Sequence, residues 1–124
     1  MPIQSYRDLE AWQIGMDFVV DVYELTKRLP VEERYGLSAQ MRRAAVSVPS
    51  NVSEGHQLSG KSYPRFVSFA IGSLAEAHTQ IEIALRLKYL DEPMFDAITR
   101  KSTRLRQVLH GLRRSLRRND ERRT

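Results

Sequence analysis

The stretch Leu37–His56, LSAQMRRAAVSVPSNVSEGH, limits what this chain can fold into more than any other. At 100° per residue it predicts a helix with two ordered faces. Leu37, Met41, Ala44, Ala45, Val48 and Val52 fall on one side. Gln40, Arg43, Ser47, Asn51 and Glu54 form a polar stripe beside them. Pro49 lies inside the pattern, removes the hydrogen bond to the Ala45 carbonyl and is expected to kink the helix. An interior proline costs on the order of 3 kcal/mol against alanine, so tertiary structure must offset it. A polar stripe next to a core stripe predicts a buried hydrogen-bond network or a subunit contact.

Three further helical patterns surround this one. The first spans about residues 8–28 and carries two apolar rows. Leu9, Trp12, Met16, Val19, Val20 and Tyr23 form one; Ile14, Phe18, Val22, Leu25 and Leu29 lie about half a turn away. A helix apolar on two sides needs two partners, which places it centrally or at a subunit interface. Ser5 or Asp8 is a candidate cap for its start, and Pro30 ends it. The third helix starts after Ser62 with Pro64 in its first turn. Phe66, Phe69, Ala70, Ser73, Ala77, Ile81 and Ala84 share its predicted face, flanked by Glu76 and Gln80. Arg43 and Glu76 are expected to join one interhelical network with the polar stripe, in which removing one member of a buried pair costs roughly 3–5 kcal/mol. The fourth helix follows an Asp91 cap and carries Phe95, Ile98, Leu105, Leu109, Leu112 and Leu116 as one stripe. Short breaks between long helices predict an all-α, up-down-up-down antiparallel four-helix bundle. It covers residues 1–118, with 119–124 expected as a disordered polar tail.

Several chemistries lack their residues. With no cysteine there is no disulfide, thiolate metal site or thiol nucleophile, which suits a reducing cytoplasm. His56, His78 and His110 have no metal-ligand spacing and read as ordinary surface or boundary histidines. Glu76-Ala77-His78 misses the Glu-x-x-His spacing of a di-iron bundle. No Gly-x-Ser-x-Gly elbow, Ser-x-x-Lys pair, Walker A loop or GxGxxG turn is present. Neither an enzyme activity nor a metal or cofactor is expected. The start MPIQSYRDLE has no signal pattern, and Phe66–Leu74 is too short and interrupted to span a membrane, so no membrane partner is expected.

Charge supplies the functional signal. The chain carries +5 overall, but residues 100–124 hold ten basic residues against Asp120 and Glu121, a balance of +8. That leaves −3 for the remainder. Arg100, Arg104, Arg114 and Arg118 project opposite the leucine stripe of the last helix, with Arg106, Arg113 and Arg117 on a flank. Guanidinium groups hold phosphate oxygens bidentately, so Arg100, Arg104, Arg114, Arg117 and Arg118, supported by Arg113, are the candidate nucleic-acid contacts. The plain alternative is a solvated face that aids solubility. No Phe, Tyr or Trp accompanies these arginines, which favours recognition of backbone or shape over base reading.

Four blocks carry a resemblance to a known family: SYRDLEAWQ from Ser5, LPVEERYGL from Leu29, QMRRAAVSVPSNVSEG from Gln40 and GSLAEAHTQIEIALRLKYL from Gly72. They resemble the bacterial 23S rRNA intervening-sequence proteins and their relative, the accessory variability determinant of diversity-generating retroelements. RRAAVSVPSN is the specific part, and Ser53 stands where such proteins commonly carry alanine. The resemblance implies a four-helix bundle, a ring-like homopentamer, and association with RNA or with a retroelement reverse transcriptase. Two roles are therefore expected: a non-catalytic homo-oligomer that binds structured RNA or DNA through its last helix, or a scaffold that docks another protein such as a reverse transcriptase.

Overall fold

Each amphipathic pattern forms one helix: α1 Glu10–Thr26, α2 Leu37–Leu58, α3 Ser62–Arg86 and α4 Glu92–Arg123. Single 3₁₀ turns at Tyr6–Asp8 and Val31–Glu33 precede α1 and α2, and no strand occurs among the described residues. The computed structural model describes residues 2–123, with side chains placed through residue 122. Helix ends follow from local chemistry. The Ser5 hydroxyl accepts from the Arg7 N–H and Asp8 accepts from the Ser5 N–H, so both residues cap the 3₁₀ turn rather than α1 itself. Asp91 Oδ1 accepts from the Met94 N–H at 2.9 Å and caps α4. Ser59 and Gly60 both take positive φ angles where the chain reverses between α2 and α3.

Each helix packs on two neighbours in the ring α1–α2–α3–α4. Thr26 meets Arg42 and Gly15 meets Pro49, which runs α2 antiparallel to α1. Gly55 meets Phe66 where α2 turns into α3, and Ser68 and His78 on α3 meet Arg113 and Ser102 on α4. The topology is up-down-up-down. Phe18, Met41, Ile81, Leu105 and Leu109 are fully buried and represent all four helices in one core.

The two apolar rows of α1 have different fates. Phe18, Val22, Leu25 and Leu29 enter the core, whereas Met16, Val20 and Tyr23 are 41%, 60% and 39% exposed. On α3 the buried face is Val67, Ala70, Leu74, Ala77, Ile81 and Ala84. Phe69, expected on that face, is 49% exposed because it lies about 100° around the helix from Ala70, off the buried row. α2 runs unbroken through Pro49, which is buried against α1. Ser50 Oγ donates to the Val46 carbonyl and Asn51 Nδ2 to the Ser47 carbonyl, so polar side chains supplement the helix around the proline.

α4 does not fray near Arg118. It continues to Arg123, so residues 119–123 are helix rather than disordered tail; Thr124 lies outside the described residues. No glycine or proline follows Gly111, and the terminal sequence is rich in arginine and leucine, both good helix formers.

Two glycines separate packing from propensity. A Cβ on Gly55 would lie 2.8 Å from Phe66 Cβ and 3.2 Å from the Tyr63 carbonyl oxygen, whereas one on Gly72 would meet nothing within 4 Å. Gly55→Ala is expected to lower stability by about 1–3 kcal/mol through overpacking. Gly72→Ala, in the exposed middle of α3, is expected to raise it by about 0.5–1 kcal/mol. Urea midpoints at constant slope check both signs.

Candidate nucleic-acid interface

The leucine stripe of α4 fixes where its arginines point. Ile98, Leu105 and Leu109 are buried, and Leu112 and Leu116 pack half-buried at the edge of the core. The charged residues therefore fall on three sectors. Lys101 and Arg104 face α1 and pair with Asp21 and Glu10. Arg106, Arg113 and Arg117 follow one another at seven and four residues along the flank toward α3. Arg100, Arg114 and Arg118 point outward.

These sectors treat the predicted contacts differently. Arg104 is already matched by a carboxylate, an arrangement the spacing on α4 alone does not predict. Such exposed pairs contribute roughly 0–1 kcal/mol, but they cancel local charge. Arg113 is half-buried, donating from Nη1 to Ser68 Oγ and from Nη2 to His110 Nδ1, each at 3.1 Å. Arg100, Arg114, Arg117 and Arg118 are exposed and have no ion-pair or hydrogen-bond partner among the described residues. Arg106, outside the predicted set, is equally exposed and unpaired. Its place seven residues before Arg113 is the sequence signal that marks it. From Arg106 to Arg118 the unpaired charges extend about 18 Å along the helix at 1.5 Å per residue.

Within one chain the polar stripe on α2 and α3 does not join into a single network among the described residues. Gln40, Arg43, Glu54 and Glu76 are exposed, and no bond joins Arg43 to Glu76 among the described residues. Its contacts are local: Asn51 to the Ser47 carbonyl, and Gln80 Nε2 to Glu76 Oε1 at 3.3 Å. The stripe lies too far around α2 from the core face to be enclosed within one subunit. Arg42 crosses between helices instead. Its Nε donates to Thr26 Oγ1 at 2.8 Å and its guanidinium covers the Tyr23 ring at 4.4 Å.

The α3–α4 seam holds a cavity of about 250 Å³, lined by Ile71, Leu74, His78, Ser102, Thr103 and Arg106 among others. His78 Nδ1 lies 3.3 Å from Ser102 Oγ, which donates to the Thr99 carbonyl at 3.1 Å. No three His, Asp or Glu side chains converge as a metal site among the described residues. No described helix is long and apolar enough to cross a membrane.

Comparison with known proteins adds a family to this geometry. A family model described as 23S rRNA-intervening sequence protein matches residues 7–111. The chain is also similar to the crystal structure of a protein of unknown function from the S23 ribosomal protein family of Bacteroides thetaiotaomicron. The TM-score is 0.75 at 22% identity, over 82% of this chain and 96% of that one. At that identity the likeness concerns the fold. No curated protein sequence matches the chain.

His110 gives the basic flank a titratable reporter. Burial, and then the charges of Arg113, Arg114 and Arg106, hold its pKa below the usual 6.5. The neutral ring accepts from Arg113 and a protonated ring cannot. With the folded value depressed, the unfolded chain takes up the proton first, so stability is full above pH 6.5 and falls as pH drops from there toward the lowered value. The expected outcome is that the melting-temperature advantage of the wild type over His110→Gln narrows as pH falls through this window. A constant difference across the window would contradict it.

Proposed function

Because the chain belongs to the 23S rRNA-intervening sequence protein family, we propose that it is a non-catalytic, self-associating bundle that holds structured RNA by its phosphate backbone. The contact surface is the side of α4 turned outward and toward α3. One observation carries this reading: the charge on α4 is sorted. Basic residues toward α1 are paired with Asp21 and Glu10, while Arg100, Arg106, Arg114, Arg117 and Arg118 are exposed on the other two sectors and have no ion-pair partner among the described residues. Arg113 supports the patch from its half-buried place beside Ser68. No Phe, Tyr or Trp follows Phe95 in the sequence, so the helix offers phosphate contacts and charge rather than aromatic base stacking.

Self-association is part of the same proposal. Met16, Val20 and Tyr23 on α1, beside Val46 on α2, leave an exposed apolar row suited to a second copy. The resemblance implies five copies. Each added copy repeats the basic patch and raises avidity without a new contact type.

A second reading, an adaptor for another protein such as a reverse transcriptase, draws support from the α1–α2 connection. Tyr35 there is 87% exposed and Val31 69%. Purification separates the two: bound nucleic acid favours the first, a stoichiometric protein the second.

The direct test is affinity for an RNA hairpin titrated against salt. Replacing Arg114, Arg117 and Arg118 together by glutamine is expected to weaken binding more than about ten-fold. It should also flatten the log–log salt slope by roughly 0.7–0.9 for each phosphate that is no longer neutralised. The charge-balanced pair Glu10→Gln with Arg104→Gln is expected to change little. Unaltered affinity and slope in the triple variant would overturn the reading.

A further inference from the structure

We propose that the α3–α4 cavity is a pocket for one unstacked nucleobase of the bound RNA, with Arg106 holding the phosphate next to it. The inference rests on the RNA reading above and adds to it a place where the protein touches a base. The lining has two characters. Ile71, Leu74 and Ala75 give an apolar floor, while His78, Thr79, Ser102 and Thr103 bring an imidazole and three hydroxyl groups to the same space. A nucleobase needs this combination, a flat apolar ring system with hydrogen-bonding edges. A volume of about 250 Å³ is on the scale of a single base.

The Thr79 hydroxyl gives its proton to the Ala75 carbonyl at 2.9 Å, and hydrogen-bond accounting at the other lining groups leaves donors and acceptors available. The Ser102 hydroxyl has one proton, given to the Thr99 carbonyl at 3.1 Å. His78 Nδ1–H then donates to Ser102 Oγ at 3.3 Å, and Nε2 remains as an acceptor. The Thr103 hydroxyl and the Arg106 guanidinium have no partner among the described residues. A base edge offering both an N–H and a carbonyl would find a match for each. Phe95, whose ring lies 5.8 Å from that of His78, backs the imidazole.

Position ties the pocket to the basic patch. Arg106 lines it and also begins the row continued by Arg113 and Arg117 along the same flank, about 10 Å and then about 6 Å further on. A strand tracking that row by its phosphates passes the pocket mouth. Paired bases are stacked inside a duplex and cannot enter. The pocket therefore selects RNA with a bulge, a loop or a free end.

The experiment uses two hairpins that differ only by a one-nucleotide bulge, and two proteins, wild type and Ala75→Leu. Ala75 is exposed on α3 at the edge of the pocket, so the larger side chain reduces the space for a base while its backbone position stays outside the buried row. Wild type is expected to bind the bulged hairpin about ten-fold more tightly than the paired one, a typical effect of accommodating one base. Ala75→Leu is expected to lose that preference and keep its affinity for the paired hairpin. A 5-bromouridine placed in the bulge is expected to cross-link to the wild-type peptides carrying His78 or Thr103, a readout that needs no variant to fold. Equal binding of the two hairpins by wild type, or a cross-link only to peptides outside α3 and α4, overturns the pocket and leaves the phosphate-backbone reading intact. Failure to bind either hairpin removes both.

Discussion

The close approach of α2 to both its neighbours is the constraint on which the other elements depend. Gly15 lets α1 come down onto Pro49, where a methyl group would sit 3.3 Å from the proline Cβ. Gly55 lets α3 come within contact of α2 at Phe66 and Tyr63. The tight turn at Tyr63 also buries its phenol, pushing the pKa up to about 12. With α1 and α3 held at these points, the space between them is filled by the fully buried Leu105 and Leu109 of α4. Pro49 is thus less a flaw than a contact surface. Its ring supplies apolar area to α1, and the hydrogen bond it forfeits is set against packing that a straight polar helix would not provide.

Once its leucines are seated, α4 has little freedom to rotate, and the direction of every arginine follows. A rotation of one residue, 100°, would take Leu105 and Leu109 out of the core, a loss of several kcal/mol at about 2 kcal/mol per buried leucine. The ion pairs to Asp21 and Glu10 are too weak to set that orientation. Their effect is electrostatic shaping. They offset the basic charge on the α1 side and leave it uncompensated on the α3 side and outward.

The helices are legible in the sequence because their signals are redundant: period, caps, prolines and short breaks agree. The leucine stripe of α4 and the buried face of α2 follow from that agreement. Legibility ends where two faces compete. Phe69 carries as much apolar area as Val67, and composition does not tell which one turns inward. Arg42 and Arg43 are adjacent arginines, and only the position of Thr26 and Tyr23 on a neighbouring helix decides that Arg42 is engaged. The division of the α4 charges needs the α1–α4 register. The spacing of Asp17, Asp21 and Glu24 on α1 hints at an acidic side but does not say which helix it faces. The cavity beside His78 arises from small residues on two helices and has no sequence motif.

The helical state of residues 119–123 changes what the basic end can be. A disordered arginine tail would contact phosphates in many geometries and lose conformational entropy each time it did so. On a helix, Arg114 and Arg118 are held one turn apart, about 6 Å along the axis, and Arg117 points to the adjoining sector. Leu112 and Leu116, half-buried against the bundle, anchor this last part of the rod. Only the arginine side chains then need ordering on contact, about 0.5–1.5 kcal/mol each. A fixed array of this kind favours polyanions whose phosphates recur at matching intervals over those of equal charge and arbitrary shape. Geometry therefore contributes to selection even where no base is touched.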